Sequence, residues 1–200
     1  MTVGACRHLE PADLSAVGLV KRVRGVAYCT RSPPALANRT VAAARGPLNR
    51  LLADVRVTTD AASKRDSAPA PGFGCVLVAE TLDDRVLCAE LDAYWFRNRT
   101  GDRPTPEDLG DACAMILLDQ VRKKGVCDDH SQPLLLSLMA LCPEHVSLAV
   151  VGPLTDRSVA RLRLINKFFG VKFKLTKRQD DTVRCACLGA GYQNFAKPVT

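Results

Sequence analysis

Residues 105–125 read TPEDLGDACAMILLDQVRKKG, and this stretch predicts one long amphipathic helix. Thr105 and Pro106 are typical of a helix start, and the two acids that follow favour the positive end of the helix dipole. A single apolar stripe runs along the predicted helix: Leu109, Cys113, Ile116, Leu117 and Val121. The cations and Gly125 at the far end predict a glycine cap, so the helix and the first domain both end there.

The sequence before this helix alternates between strand and helix patterns. Residues 19–29 mix β-branched and aromatic residues with charges, which predicts a strand with one exposed side. A helix is predicted over 33–52, with a kink or a break into two short helices at Gly46-Pro47. Strands are also predicted at 55–58, 75–80 and 86–91, with a surface loop over 61–74 and irregular chain over 93–103.

After the long helix, the remaining chain predicts a second α/β unit. Its elements follow in the order helix 132–141, strand 146–151, helix 155–169, strand 171–176 and strand 182–188. Val171, Phe173 and Leu175 alternate with polar residues, which predicts one buried and one cationic sheet face. The fold class is therefore α/β, or α+β, with helices packed on one face of a mixed sheet. The predicted division is a tail at 1–16 and domains at 17–125 and 126–200.

The chain carries 28 Lys and Arg against 21 Asp and Glu, a formal net charge of +7. Between Lys21 and Arg56 lie eight basic residues and a single acid, and between Arg157 and Arg178 lie eight more with no acid. Such clusters attract polyanions through counterion release, and nucleic acid is the commonest polyanion in a cell. A solvated basic face, or one that docks an acidic protein, is the alternative interpretation.

Motifs for the commoner kinds of chemistry are absent from the sequence. There is no phosphate-binding P-loop, no dinucleotide-type glycine pattern and no Cys-x-x-Cys pair. The nine cysteines lie mostly in apolar runs, which predicts buried thiols in a reducing compartment, and no cofactor or metal is expected. The three histidines lie outside nucleophile motifs, and neither a targeting signal nor a membrane-spanning run is expected.

Seven short runs, in this order, resemble the RNA 3′-terminal phosphate cyclase-like family. They are KRVRGVAY (21–28), ANR (37–39), PGFG (71–74), VAET (78–81), PEDLG (106–110), GPL (152–154) and FFG (168–170). Several ordered runs at matching spacing are more specific than any one of them. The resemblance implies a cyclase fold, in which an inserted α/β domain at 17–125 precedes the third of three repeated units at 126–200. The first two repeats have no counterpart in this sequence.

The resemblance also implies that the cyclase reaction is lost. Cyclases are adenylylated on a histidine that precedes a Leu-Leu-Thr segment, and matching Pro153-Leu154-Thr155 to that segment places Gly152 at the histidine position. A phosphoramidate needs an imidazole nitrogen as its nucleophile, so a glycine cannot carry the adenylate. The Ala-Asp-Gln of cyclases, whose acid lies at the nucleotide site, corresponds to His130-Ser131-Gln132.

Members of the cyclase-like branch are similar in lacking that histidine. The resemblance implies a non-catalytic ribosome-assembly factor, found in the nucleus and nucleolus, for the endonucleolytic cleavage of precursor rRNA that yields the 18S rRNA. Precursor rRNA, the small-subunit processome and a ribosome-assembly GTPase are the implied partners, and no membrane is expected. The candidate residues for contact with RNA or a partner are Lys21, Arg22, Arg24, Arg157, Arg161, Arg163, Lys167, Lys172 and Lys174.

Two other interpretations stay open at this point. One is an RNA-processing enzyme, either an endonuclease or a cyclase whose active site lies in an absent half. A nuclease region proposed for the family corresponds to residues 163–166, where Leu164 and Ile165 offer neither an acid nor a base. The other is a truncated relic with exposed sheet edges that associates with itself.

Overall fold

The chain folds into two units in the computed structural model, which describes residues 9–62, 68–101 and 104–193. One unit is Gly18–Arg122, and the other combines Met1–Val17 with Lys123–Thr200. The first unit ends at Arg122, whereas the sequence predicts the boundary at Gly125. The segment 1–16, predicted as a tail, contributes the short strand β1 (Asp13–Leu14) to a sheet of the second unit.

The first unit is a four-stranded mixed sheet with two long helices on one face. Its elements are β2 (Val20–Thr30), α1 (Pro34–Asn49), β3 (Val55–Ala61), β4 (Gly72–Thr81), β5 (Val86–Asp92), α2 (Ala93–Thr100) and α3 (Pro106–Arg122). The strand order is β3-β2-β4-β5, with β2 and β3 parallel and the other neighbours antiparallel. The four strands predicted in this part of the chain are therefore confirmed, with ends that differ by a few residues.

The core of the first unit lies between the sheet and the helices α1 and α3. On β2, Val23 and Ala27 are fully buried against the helices, and the alternate residues lie on the opposite, open face of the sheet. The backbones of α1 and α3 approach each other closely at Gly110 of α3. A methyl group on Gly110 would overlap the carbonyl oxygen of Thr40 and lie 3.0 Å from the backbone nitrogen of Ala44. The absence of a side chain at Gly110 therefore sets the distance between the helices.

The helix α1 is continuous from Pro34 to Asn49, so the predicted break into two short helices is wrong. Pro47 lies in the last turn of the helix, where its missing N–H and its ring disturb only the end of the hydrogen-bonded ladder. The start agrees with the prediction, since Pro34 occupies the first turn, where a free N–H is not needed.

Residues 93–100 form a helix where irregular chain was predicted. The Asp92 side chain caps the start of α2 by accepting a hydrogen bond from the backbone N–H of Trp95 at 2.7 Å. Gly101 ends the helix in the left-handed conformation, with a φ of 81°. The residues between these two caps have no clear helical periodicity, so the caps themselves were the only signal in the sequence.

The long helix predicted at 105–125 is confirmed as α3. Its start is a reciprocal cap, because Thr105 Oγ1 accepts from the N–H of Asp108 at 3.2 Å and the Asp108 carboxylate accepts from the N–H of Thr105 at 3.1 Å. The predicted glycine cap at Gly125 is wrong, since Lys124 takes the left-handed conformation with a φ of 53°. Gly125 is needed for packing instead, because a methyl group there would lie 2.6 Å from the backbone nitrogen of Gly152.

The second unit is also a four-stranded mixed sheet with two helices on one face. After β1 come α4 (Gln132–Leu141), β6 (Val146–Val151), α5 (Asp156–Phe169), β7 (Phe173–Lys177) and β8 (Val183–Leu188). The strand order is β1-β6-β8-β7, in which β1 and β6 are parallel and the other pairs antiparallel. The predicted order of elements is confirmed, and so is the α/β class with helices on one face of a mixed sheet.

The core of the second unit lies between these helices and one face of the sheet. It includes Leu136, Met139, Ala140, Ala149, Val151, Ile165, Cys185 and Cys187. Cys185 and Cys187 share the buried face, as their alternation predicts. Leu175 is 45% exposed, so the prediction that it is buried is wrong. The reason is that β7 is an edge strand with a neighbour on one side only, and the helices cover it less.

Candidate functional site

The three predicted contact residues of the first unit all lie on β2, and each is paired with a carboxylate. The pairs are Lys21 with Asp84 at 2.8 Å, Arg22 with Glu80 at 2.6 Å and Arg24 with Asp54 at 2.7 Å. Arg24 reaches both carboxylate oxygens of Asp54. The unit as a whole has 15 Lys and Arg against 13 Asp and Glu, so its charges nearly balance. Little of the positive charge of Lys21, Arg22 and Arg24 remains for a polyanion.

These ion pairs shift the pKa of both partners. The hydrogen bonds from Arg24 lower the pKa of Asp54, and those from Arg22 lower the pKa of Glu80, because they favour the ionised carboxylates. The pKa of each arginine is raised for the same reason. A carboxyl group whose pKa is lowered on folding stabilises the fold above its ordinary pKa and ceases to do so as the pH falls through the lowered value. The pairs therefore support the first unit at neutral pH and lose this role in acid.

Replacing Arg24 by glutamine is expected to raise the pKa of Asp54 towards its ordinary value, because the hydrogen bonds that lower it most are removed. NMR titration of the Asp54 carboxyl carbon measures this shift. Arg22→Gln is the matched control, since it should move the titration of Glu80 and barely that of Asp54. An Asp54 titration that is the same with and without Arg24 would contradict the pairing.

A second set of predicted contact residues forms the α5 cationic surface: Arg157, Arg161, Arg163 and Lys167. Thr155 caps the start of α5, where its hydroxyl accepts from the N–H of Ser158 at 3.1 Å, and Gly170 ends the helix with a φ of 67°. Ser158 and Ile165 face the core, so the cations lie on the exposed sides of the helix. Within the part of the chain that the structure describes, none of the four cations forms an ion pair.

Two apolar side chains, Leu164 and Phe168, share an exposed side of α5 with Arg157 and Arg161. These four positions follow each other at intervals of three and four residues, and Phe168 is 73% exposed. The segment from Lys123 to Thr200 has 12 Lys and Arg against six Asp and Glu, so the net charge of the chain is concentrated here. A cationic surface with an exposed aromatic ring suits the phosphates and unstacked bases of RNA. It also suits an acidic protein segment with apolar residues.

Lys172 and Lys174 are both exposed. Only Lys172 lies next to the end of α5. Lys172 lies in the connection between α5 and β7. Phe173 packs into the core, so its neighbour Lys174 points from the sheet face opposite the helices. Arg184 of β8 is exposed on that opposite face as well. Sequence reasoning missed Arg184 because it is a single cation within an apolar strand.

Gly152, which the family resemblance matches to the histidine of cyclases, packs closely against Lys123. A methyl group on Gly152 would lie 3.1 Å from Cβ of Lys123 and 3.4 Å from its carbonyl oxygen. Lys123 is in turn held by an ion pair with Asp129 at 2.6 Å. A methyl group there needs Lys123 to shift by a few tenths of an ångström, so a larger imidazole is expected to require a greater adjustment of the packing. Gly152 therefore offers no side-chain nucleophile and is closely packed against Lys123.

A buried hydrogen-bond network flanks Gly152. The side chain of Gln132 donates to the carbonyl of Pro153 at 3.2 Å and accepts from Ser158 Oγ at 2.9 Å and from the N–H of Thr155 at 3.4 Å. Gln132 and Ser158 are fully buried. Because its hydrogen bonds are made within the fold, Gln132 joins the starts of α4 and α5 and serves the structure.

Potential metal ligands are dispersed in the part of the chain that the structure describes. The described residues contain no group of His, Cys, Asp and Glu side chains placed to hold a metal ion, and their cysteines are free thiols. Burial raises the pKa of Cys127 to about 12 and that of Cys185 and Cys187 to about 11, so these thiols stay protonated at neutral pH. Every described helix is too short or too polar to cross a membrane.

The first unit matches a known domain family. The profile of the RNA 3′-terminal phosphate cyclase (RTC) insert domain matches residues 15–122, which is more than half of the chain. The match begins within a few residues of the start of the first unit and ends at its last residue.

Several proteins are similar to nearly the whole chain. The probable RNA 3′-terminal phosphate cyclase-like protein of Dictyostelium discoideum is 36% identical over 199 residues, which cover 95% of this chain and 54% of that protein. The RNA 3′-terminal phosphate cyclase-like protein of Mus musculus is 38% identical over 94% of this chain and 52% of its own length. An rRNA processing protein of Schizosaccharomyces pombe is 38% identical over 96% and 51%. The chain thus spans about half the length of these relatives.

Proposed function

Since the chain belongs to the RNA 3′-terminal phosphate cyclase-like family, we propose that it is a non-catalytic binding and assembly factor in ribosome biogenesis. It acts in the nucleus and nucleolus, in the processing of precursor rRNA towards the 18S rRNA of the small subunit. The name of the relative from Schizosaccharomyces pombe, an rRNA processing protein, supports the choice of rRNA as the target.

The observation that carries this proposal is the α5 cationic surface. The arginines of β2 are engaged by carboxylates of their own unit, whereas the four cations of α5 form no ion pair among the described residues. Arginine holds phosphate oxygens in a bidentate manner, and each neutralised phosphate releases a counterion. The α5 cationic surface therefore contacts the phosphates of precursor rRNA, and Lys172 extends this contact beyond the end of the helix.

The mechanism is positioning and not bond cleavage. The glycine at position 152 argues against self-adenylylation, because it has no nucleophilic side chain. In the region proposed for a nuclease, Leu164 and Ile165 offer no group for general acid or base catalysis. The chain binds the precursor and holds it for endonucleolytic cleavage within the small-subunit processome. The family resemblance supports a ribosome-assembly GTPase as its protein partner.

The test is the binding of the purified chain to a precursor segment of small-subunit rRNA over a series of salt concentrations. Changing Arg157, Arg161, Arg163 and Lys167 together to alanine is expected to weaken binding strongly at low salt. It should also reduce the slope of log affinity against log salt by about three, because each lost phosphate contact removes roughly 0.7 to 0.9 of the slope. Fluorescence anisotropy of a labelled RNA gives both quantities.

A matched pair of double variants separates a specific surface from net charge. Arg157→Ala with Arg161→Ala and Arg45→Ala with Arg50→Ala remove the same charge from exposed arginines of α5 and of the α1 region. Only the first pair should weaken binding by more than the general effect of charge. Equal losses from both pairs would reduce the proposal to non-specific attraction, and no binding at low salt would remove RNA as a direct partner.

A further inference from the structure

The helix α2 has one side packed on the first unit and one side exposed. Ala93 and Phe96 pack against the core of that unit. Tyr94 and Asn98 are four residues apart on the side that faces away from this contact, and Arg97 lies between them and the packed side; all three are exposed. Tyr94 is the most exposed aromatic residue of the unit, at 76%, and its neighbour Trp95 is 42% exposed. An aromatic ring, a guanidinium group and a side-chain amide therefore share one solvent-facing surface.

The chemistry of this surface favours unpaired nucleotides over an apolar partner. The exposed side carries no aliphatic residue that a protein groove would take up. Planar rings and guanidinium groups stack on nucleobases of any sequence, and the cation also attracts the phosphate that follows. Residues 92–103 contain three arginines against two acids, Asp92 and Asp102, so the segment has a net positive charge that favours RNA.

The other exposed tyrosine of this unit has a different environment. Tyr28 lies on the open face of the sheet, where burial and the nearby charges of Asp92 and Glu90 raise its pKa. Its ring lies over Gly74, and a methyl group on Gly74 would overlap the Tyr28 hydroxyl. Carboxylates around the ring oppose a phosphate backbone, so Tyr28 is a poor platform for RNA. Tyr94, which is followed by arginines, is the better one.

We propose that the exposed side of α2 binds single-stranded RNA, with a base stacked on the ring of Tyr94 and Arg97 at the adjoining phosphate or base. This site is separate in sequence from the α5 cationic surface and belongs to the first unit. It rests on the proposed function insofar as both take RNA as the ligand. It adds a contact with unpaired bases in the first unit to the phosphate contacts proposed for α5.

Trp95 provides the experiment, because it is the only tryptophan of the chain and lies next to Tyr94. The full chain is titrated at low salt with an oligouridine of about eight nucleotides, a length that suits a small single-strand site. A saturable change in Trp95 fluorescence is expected. Tyr94→Leu keeps an apolar side chain but removes the ring, and it should weaken binding about tenfold. Tyr94→Phe keeps the ring and should bind like the native chain, whereas Arg97→Gln should weaken binding and lower its dependence on salt.

The outcomes distinguish this inference from the proposed function. The variant without the four α5 cations should still show the Trp95 response to oligouridine, although it binds precursor rRNA poorly. If Tyr94→Leu and Tyr94→Phe bind equally well, or if Trp95 does not respond, the α2 site is wrong while the α5 proposal stands. Polyglutamate is the control ligand, and an equal Trp95 response to it would show an acidic polymer or protein site in place of an RNA site. Circular dichroism of each variant verifies that the fold is kept.

Discussion

Gly110→Ala is expected to lower the free energy of unfolding of the first unit by about 2 to 4 kcal/mol, an effect at the upper end for overpacked positions. The added methyl group overlaps the carbonyl oxygen of Thr40, which belongs to the backbone and cannot turn away as a flexible side chain would. The two helices must separate, and the buried contacts between α1, α3 and the sheet weaken together. Denaturation by urea, followed by circular dichroism, measures the loss.

Gly46→Ala is the matched control for this prediction. Gly46 lies in α1 with no atom within 4 Å of an added methyl group. Alanine favours a helix over glycine by up to about 1 kcal/mol, and the following proline offsets part of this gain. The stability of Gly46→Ala should therefore stay within about 1 kcal/mol of the native value. Similar losses from both variants would mean that the helix crossing at Gly110 is not the tight contact described.

Gly152→His is expected to leave the chain without any covalent adenylate and to destabilise the second unit by roughly 1 to 3 kcal/mol, the range for inserting atoms into a packed site. The imidazole supplies the nucleophile that the family resemblance places at this position, but its Cβ meets Lys123, and Gly125 lies against the backbone of residue 152. Incubation with labelled ATP and separation on a denaturing gel detect the adenylate. Neither the native chain nor the variant should carry label.

Gly152→Ala tests whether the loss of stability depends on the size of the side chain at position 152. Its methyl group needs Lys123 to move by only a few tenths of an ångström, so its loss of stability should be well below that of the histidine variant. A histidine variant as stable as the native chain would show that the segment 123–125 yields easily. Label on the native chain would overturn the non-catalytic proposal.

Elements that combine a periodic apolar stripe with signals at their ends were predicted well from the sequence. The helix α3 begins at a threonine, a proline and two acids and ends in cations, and each of these features acts on its nearest neighbours along the chain. The helix α2 lacks a periodic apolar stripe and was missed, although Asp92 and Gly101 mark its two ends. A capping residue predicts a helix end only when a segment with helical periodicity lies next to it.

Whether a candidate contact residue is paired with a carboxylate depends on tertiary contacts that cannot be read from the sequence. Lys21, Arg22 and Arg24 form an apparently free basic cluster in the sequence, yet their carboxylate partners come from later elements that the sheet brings beside β2. Arg24 and Asp54, for example, are 30 positions apart. The cations of α5 were identified by the same reasoning, and the surrounding fold places no carboxylate against them among the described residues.

The short strand β1 bears on the order in which the chain can fold as it is synthesised. Ala12 donates to Ser147 across 135 positions, so this strand leaves the ribosome long before its partner β6 exists. Leu14 pairs with Ala149, and the N–H of Val126 donates to the carbonyl of Val150. The chain therefore leaves the second unit after β1 and re-enters it at neighbouring positions on the same edge of β6. Closing so long a flexible loop carries an entropic penalty that grows with its length. Most of that loop belongs to the first unit, which is no longer flexible once it has folded. Early folding of the first unit therefore lowers the entropic cost of pairing β1 with β6 in the second unit.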